Sequence, residues 1–213
     1  SLLKEEHRLG LSLLIVPVST ILNWIRETDK FAPNVRIMKY HGPDRSMESF
    51  STEITDCVVT SYATVRNDIE ELSKIEFDYL ILDESQQIKN HRTKTFKAVK
   101  VLTSRHRLSL TGTPVENHSL ELWSQMDFLN PGLLGTHNAF RRTFGPKEDK
   151  EENAECMEAL QRKIKPFILR RKKEDVAQDL PEKEIIPLYL EMGKEQKALY
   201  NSLEDYFRVE ILR

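Results

Sequence analysis

The stretch LILDESQQIKN, residues 80–90, runs three aliphatic residues straight into two adjacent carboxylates. With Phe77 and Tyr79 ahead of it, the apolar part reads as a strand buried on both faces. On the plain reading, that strand surfaces into an ordinary Asp-Glu-Ser loop. The more specific reading starts from where ligands sit in open α/β sheets, beyond the carboxyl ends of the strands. Two like charges roughly 6 Å apart at an effective dielectric of about 20 repel by about 3 kcal/mol. Water tolerates that; a cleft does not. A divalent cation relieves it, leaving one carboxylate to hold the ion and the other to handle a water.

Outward from this stretch, apolar runs alternate with helical patterns. Residues 11–16, 35–40, 56–60, 77–82, 106–110 and 185–190 read as strands. STILNWIRETDKF opens with a Ser-Thr cap and carries Ile21, Trp24 and Ile25 on one face, a spacing that marks Trp24 as a packing residue rather than a stacking one. RTKTFKAVKVL places Phe96, Val99 and Val101-Leu102 on one side. SLELWSQMDFLNPG starts at a Ser cap with Glu121 near its first turn and ends at Asn-Pro-Gly. Strand-helix alternation with short joints predicts an α/β fold, a mostly parallel sheet covered on both faces. From about His137 to Lys165 the chain reads as helices with a polar break at GPKEDKEEN. The final stretch has Leu199, Leu203, Tyr206-Phe207 and Ile211 at helix spacing.

Bulk properties narrow the class. At 213 residues, 39% hydrophobic and 31% charged, the chain can bury a sizeable core. No apolar stretch reaches the length of a membrane span, and the charged N-terminus does not resemble a signal peptide. Cys57 and Cys156 form no metal spacing and no disulfide framework, which fits a reducing, intracellular setting. Asn117 in NHS matches a glycosylation acceptor that such a setting leaves unused. A net charge of −2 does not announce a nucleic-acid binder. Charge is uneven, however: residues 162–173 include seven basic side chains and no acid. The LRRKK run, with Arg170 and Arg171, is either a solvated face or a phosphate-contacting patch.

Several short elements line up in order: LLIVPVSTILNWIRE (13–27), YHG (40–42), VVTSYATVRND (58–68), LILDESQQIKN, RLSLTGTPVENHSLELWSQMDFLNPGLLG from Arg107, and FILRRKKEDVAQDLPEK (167–183). In this order they resemble the first motor lobe of Swi/Snf-type DNA translocases, a branch of the superfamily-two helicases. The resemblance covers nearly the whole chain, and its most specific parts surround LTGTP and LRRKKEDV.

The resemblance implies a RecA-like fold with a helical insertion and a C-terminal helix. It implies a division into lobe one over 1–136, a helical protrusion with the basic segment over 137–183, a strand returning to lobe one over 184–192, and a helix over 193–213 leading toward a second lobe. It implies ATP and Mg²⁺ as cofactors. Asp83 would hold the metal and Glu84, beside it, would polarise the attacking water. Gln86 would sense the γ-phosphate region and link it to Thr111, Gly112 and Thr113 of TGTP. Pro17 and Ser19, the latter with Thr20 at a helix start whose backbone N–H groups and dipole favour a phosphate, and Thr60, Ser61 and Tyr62, offering hydroxyls at the same sheet edge, would hold one strand of double-stranded DNA. Arg170 and Arg171 would add phosphate contacts. DNA-bound proteins and the parent chain's second lobe are the further implied partners, and the implied location is intracellular and DNA-associated.

Two departures stand out. Ser85 occupies the place where the family usually has Ala. No G-x-x-x-x-G-K-[ST] phosphate loop occurs, and glycine is scarce at seven residues. The expectation is therefore a piece of a larger translocase. The alternative is a non-catalytic DNA- or protein-binding module derived from such a lobe. A Mg²⁺-dependent nuclease or phosphatase is a weaker third reading, since no further carboxylates are placed to complete a two-metal site.

Overall fold

The computed structural model describes residues 10–112, 119–145, 150–171 and 186–211. They fall into two compact units, Ser1–Pro166 and Phe167–Arg213.

The first unit is built on five parallel strands, β1 (Ser12–Val16), β2 (Ile37–Tyr40), β3 (Cys57–Ser61), β4 (Glu76–Leu82) and β5 (Thr103–Ser109), in the order β2-β3-β1-β4-β5. β1 lies at the centre and is buried along its whole length. Its alternate side chains serve two cores. Leu13 and Ile15 join Val58, Leu80 and Leu82 on one face, whereas Leu14 and Val16 join Ile21 and Val59 on the other. This two-sided burial is why the strand reads as an unbroken aliphatic run instead of an alternation.

Helix α1 (Ile21–Phe31) covers one face through Ile21, Trp24 and Ile25. Helices α2 (Tyr62–Asn67) and α4 (Lys94–Val101) cover the other, α4 through Phe96, Ala98 and Val99. A single helical turn, α3 (Ile69–Leu72), joins α2 to β4. The chain thus leaves β1 toward β2 over one face and leaves β4 toward β5 over the other. β1 and β4 are neighbours, so the crevice between their carboxyl ends is a topological switch point, the usual ligand position of an open parallel sheet. Register brings the loops beyond these strands together there: Val16 pairs with Ser61, Ile15 with Leu82, and Leu82 with Ser109.

A second cluster forms around α5 (Ser119–Leu129), α6 (His137–Phe144) and α7 (Lys150–Ile164), where Leu122, Trp123, Met126, Phe140 and Leu160 pack together. In the second unit, helix α8 (Lys194–Ile211) carries Leu199, Leu203, Tyr206 and Phe207 exposed along its length.

Four local expectations change. β5 begins at Thr103, three residues earlier than the apolar pattern marks, because the edge strand pairs with β4 from Glu76 onward while keeping polar, exposed side chains. Val101 is 57% exposed, since the helix turns it away from the core that Val99 and Leu102 fill. Thr20 does not cap α1 with its side chain; its hydroxyl donates to the Pro17 carbonyl at 2.9 Å because a 3₁₀ turn, Val18–Thr20, runs directly into the helix. Residues 186–190 adopt no regular structure and are exposed, with Tyr189 at 89%. A strand exists only where a neighbour exchanges backbone hydrogen bonds with it, and these residues pair with no described strand.

Candidate active site at the carboxyl edge of the sheet

Asp83 and Glu84 emerge from β4 at the switch point, both half-buried. The Asp83 backbone N–H donates to the Ile15 carbonyl at 2.9 Å, so the residue is still anchored to the central strand. Its carboxylate is held from two sides. Oδ1 accepts the Glu84 backbone N–H at 3.0 Å, and Oδ2 accepts the Trp24 indole N–H at 2.8 Å. Its carbonyl accepts the Tyr62 hydroxyl at 2.7 Å. An ionised carboxylate offers about four lone-pair positions, so two remain for a cation.

Glu84 has φ 50° and ψ 52°, and among the described residues it is the one non-glycine in the left-handed region. Such a conformation costs on the order of 1–3 kcal/mol and persists where the surroundings fix it. Here the Glu84 N–H is tied to Asp83, and the next N–H, of Ser85, donates to the Leu110 carbonyl at 3.0 Å. The reversal starts a 3₁₀ turn, Ser85–Ile88, that turns the Glu84 side chain toward Gln86. Gln86 Nε2 donates to Glu84 Oε2 at 2.7 Å, and Gln86 Oε1 accepts the Thr111 hydroxyl at 3.1 Å. A continuous hydrogen-bonded relay therefore runs from the end of β4 to the loop after β5. Among the described residues, neither Asp83 nor Glu84 is in an ion pair.

The remaining expected positions sort clearly. Pro17 is half-buried and Ser19 exposed at the start of α1, whose first N–H groups receive no side-chain cap. Gly112 is exposed next to Thr111. Thr60, Ser61 and Tyr62 sit at the same edge, but their hydroxyls turn inward, a correction to the picture of hydroxyls open to a ligand. Thr60 Oγ1 donates to the Tyr40 carbonyl at 2.7 Å, and Ser61 Oγ caps α2 by accepting the Thr64 N–H at 3.1 Å. Tyr62 is occupied by Asp83. Burial, and then the charges of Asp83 and Glu84, raise the Tyr62 phenol well above its ordinary value, so it stays a donor. Arg170 and Arg171 are exposed in the second unit. Thr113, Asn117, Lys172 and Lys173 lie outside the described residues.

Two contributors escaped the sequence: Trp24 as a donor to Asp83, and Tyr62 as its backbone tether. A signal for Trp24 existed, because a buried indole N–H needs an acceptor.

The donor set tests whether Mg²⁺ fits. The ligands available are hard carboxylate oxygens, and among the described residues no cluster of three or more His, Cys, Asp or Glu forms a cage. Mg²⁺ is typically held by one or two carboxylates plus substrate phosphates, so this set suits it.

Fold and site together define a helicase-like α/β lobe of RecA type. The family model described as "SNF2-related domain" matches residues 1–211, and the chain belongs to that family. It is 42% identical to the TATA-binding protein-associated factor MOT1 of Saccharomyces cerevisiae over 92% of this chain and 11% of that protein. It is 39% identical to the putative ATP-dependent helicase/translocase YwqA of Bacillus subtilis, over 90% of this chain and 21% of that one. The Sulfolobus solfataricus SWI2/SNF2 ATPase core in complex with dsDNA superposes with a TM-score of 0.74 at 42% identity, covering 97% of this chain and 44% of that one. The chain thus spans less than half the length of each of these relatives. Among the described residues, no helix is long and apolar enough to cross a membrane.

Proposed function

We propose that this chain is the first motor lobe of an ATP-driven translocase on double-stranded DNA, acting with a second lobe inside an intracellular, DNA-associated parent protein. The observation that carries the reading is the Glu84–Gln86–Thr111 relay beside a cation-ready Asp83 at the sheet's switch point. Relatives named as ATP-dependent helicases and a solved relative bound to dsDNA support it.

In this reading Asp83 presents its free lone pairs to the cation, its rotamer fixed by Trp24 and the Glu84 N–H. Mg²⁺ with its nucleotide would neutralise charge on the phosphates being separated. Glu84 orients a water and accepts its proton. Gln86 and Thr111 report the change to the loop after β5, because hydrogen bonds respond steeply to small displacements. The turn at Pro17 and Ser19, which runs into α1, accepts a backbone phosphate at the positive end of that helix, a contact that positions duplex without reading sequence. With their hydroxyls turned inward, Thr60, Ser61 and Tyr62 act there by shaping the loop and through backbone groups. Arg170 and Arg171, exposed in the second unit, add phosphate contacts.

The test is ATP hydrolysis by the full-length protein with and without linear duplex DNA. Stimulation by duplex exceeding that by single strands is the expected outcome; no response to either DNA contradicts the proposal.

A further inference from the structure

Helices α1 and α2 cover opposite faces of the sheet, yet each sends an aromatic donor to one residue. Trp24, one turn into α1, gives its indole N–H to Asp83 Oδ2 at 2.8 Å. Tyr62, the first residue of α2 and 7% exposed, gives its hydroxyl to the Asp83 carbonyl at 2.7 Å. Packing alone requires neither polar tip: phenylalanine would bury the same ring at Tyr62, and an apolar side chain would cover the sheet at Trp24. Both residues are rigid and sit directly behind the loops proposed to hold DNA. Residues 16–20 feed α1, and the Ser61 hydroxyl opens α2.

The two ties grip different parts of Asp83. Trp24 holds the carboxylate itself. Tyr62 holds the backbone immediately before Glu84, the residue in the left-handed conformation. A shift of α1 along its axis therefore turns the Asp83 side chain, whereas a shift of the α2 start moves the peptide that sets the direction of Glu84. We infer that Trp24 and Tyr62 are positioning residues coupling the two DNA-facing loops to the acid pair, one through the metal-holding carboxylate and the other through the backbone of the base. The inference rests on the proposed DNA and catalytic reading of this edge, and it adds the physical connection between the two.

Two measurements test it. In the full-length protein labelled at its tryptophan indoles, the Trp24 indole N–H resonance, identified by its loss in Trp24→Phe, moves upfield in Asp83→Ala and less so in Asp83→Asn, while the Trp123 indole signal stays put. An unmoved Trp24 signal in both variants overturns the tie. In the full-length protein, Trp24→Phe and Tyr62→Phe each lower the stimulation of ATP hydrolysis by duplex DNA about tenfold, with duplex affinity retained. Only Trp24→Phe also raises the Mg²⁺ concentration for half-maximal rate, because only Trp24 touches the carboxylate. Undiminished DNA stimulation in both variants overturns the coupling. Failure of the motor reading itself looks different: the unsubstituted protein would not respond to DNA at all.

Discussion

The Thr111 hydroxyl donates to Gln86 Oε1 at 3.1 Å, joining the loop after β5 to the turn after β4. Gln86 completes the link by donating its amide N–H to Glu84 at 2.7 Å, so one side chain serves two loops. Gln86→Leu keeps the side chain's bulk and removes both bonds. Its expected effect is a fall in DNA-stimulated turnover on the order of tenfold or more, with duplex affinity intact. Thr111→Val breaks the far half of the same relay, so the double variant should be little worse than Gln86→Leu alone. Steady-state kinetics of the three variants checks this; full additivity would show that the two residues act separately.

Ser85 carries a different expectation. Its side chain is fully buried, and its hydroxyl has no hydrogen-bond partner among the described residues. An unsatisfied buried hydroxyl costs about 1–3 kcal/mol, so Ser85→Ala should stabilise the fold by about 1 kcal/mol. A higher urea midpoint with an unchanged slope is the expected result. A lower midpoint would mean the hydroxyl is satisfied in solution.

His91 predicts a pH dependence. Its ring lies 3.9 Å from the His137 ring and edge-on to Trp123 at 5.6 Å. Burial first, then the charges of His137 and Arg92, hold its pKa below the ordinary imidazole value, with Asp127 pulling weakly the other way. The unfolded state therefore binds more protons here. Stability is fully present above the ordinary value of about 6.5 and is lost as pH falls below it toward the lower folded value. His91→Gln should flatten that slope. Urea midpoints at about pH 7.5 and about pH 5.5, in both forms, measure it.

Ser19 separates helix stability from DNA binding. A glutamate there favours the α1 dipole by about 0.3–1 kcal/mol but repels a phosphate at the same helix start. Ser19→Glu should leave thermal stability undiminished while weakening duplex binding uniformly across sequences and lowering the salt slope by about one. Unchanged affinity would move the phosphate contact elsewhere.

Much of this architecture is legible in the residues themselves, for identifiable reasons. β1 announces itself because burial on both faces leaves little but aliphatic side chains, and β3 and β4 because each carries an aliphatic run, Val58-Val59 and Leu80-Ile81-Leu82. The acid pair is visible because nothing in a simple loop demands two carboxylates after such a strand. β5 is blurred because an edge strand keeps Arg105 and His106 exposed and polar, so its hydrogen-bond ladder leaves little trace in hydropathy. Residues 186–190 show the converse, an apolar run that pairs with no described strand. Thr60 and Ser61 look like open donors at a strand end; the tertiary register sets Thr60 beside Tyr40 and turns it inward, whereas Ser61 is taken by the local cap on α2. Trp24 reads correctly as a packing residue, yet the direction of its indole N–H across the crevice is decided by how α1 sits on β1, which no local pattern encodes.

The central claim is that the carboxylates ending β4 manage a cation and a water at a nucleotide's terminal phosphate. The most direct measurement is DNA-stimulated ATP hydrolysis by full-length Glu84→Gln. That substitution keeps the shape and the Gln86 contact but removes the proton acceptor. Turnover is predicted to fall by about 10²–10⁴-fold with nucleotide and duplex binding retained. Turnover equal to that of the unsubstituted protein would contradict the claim.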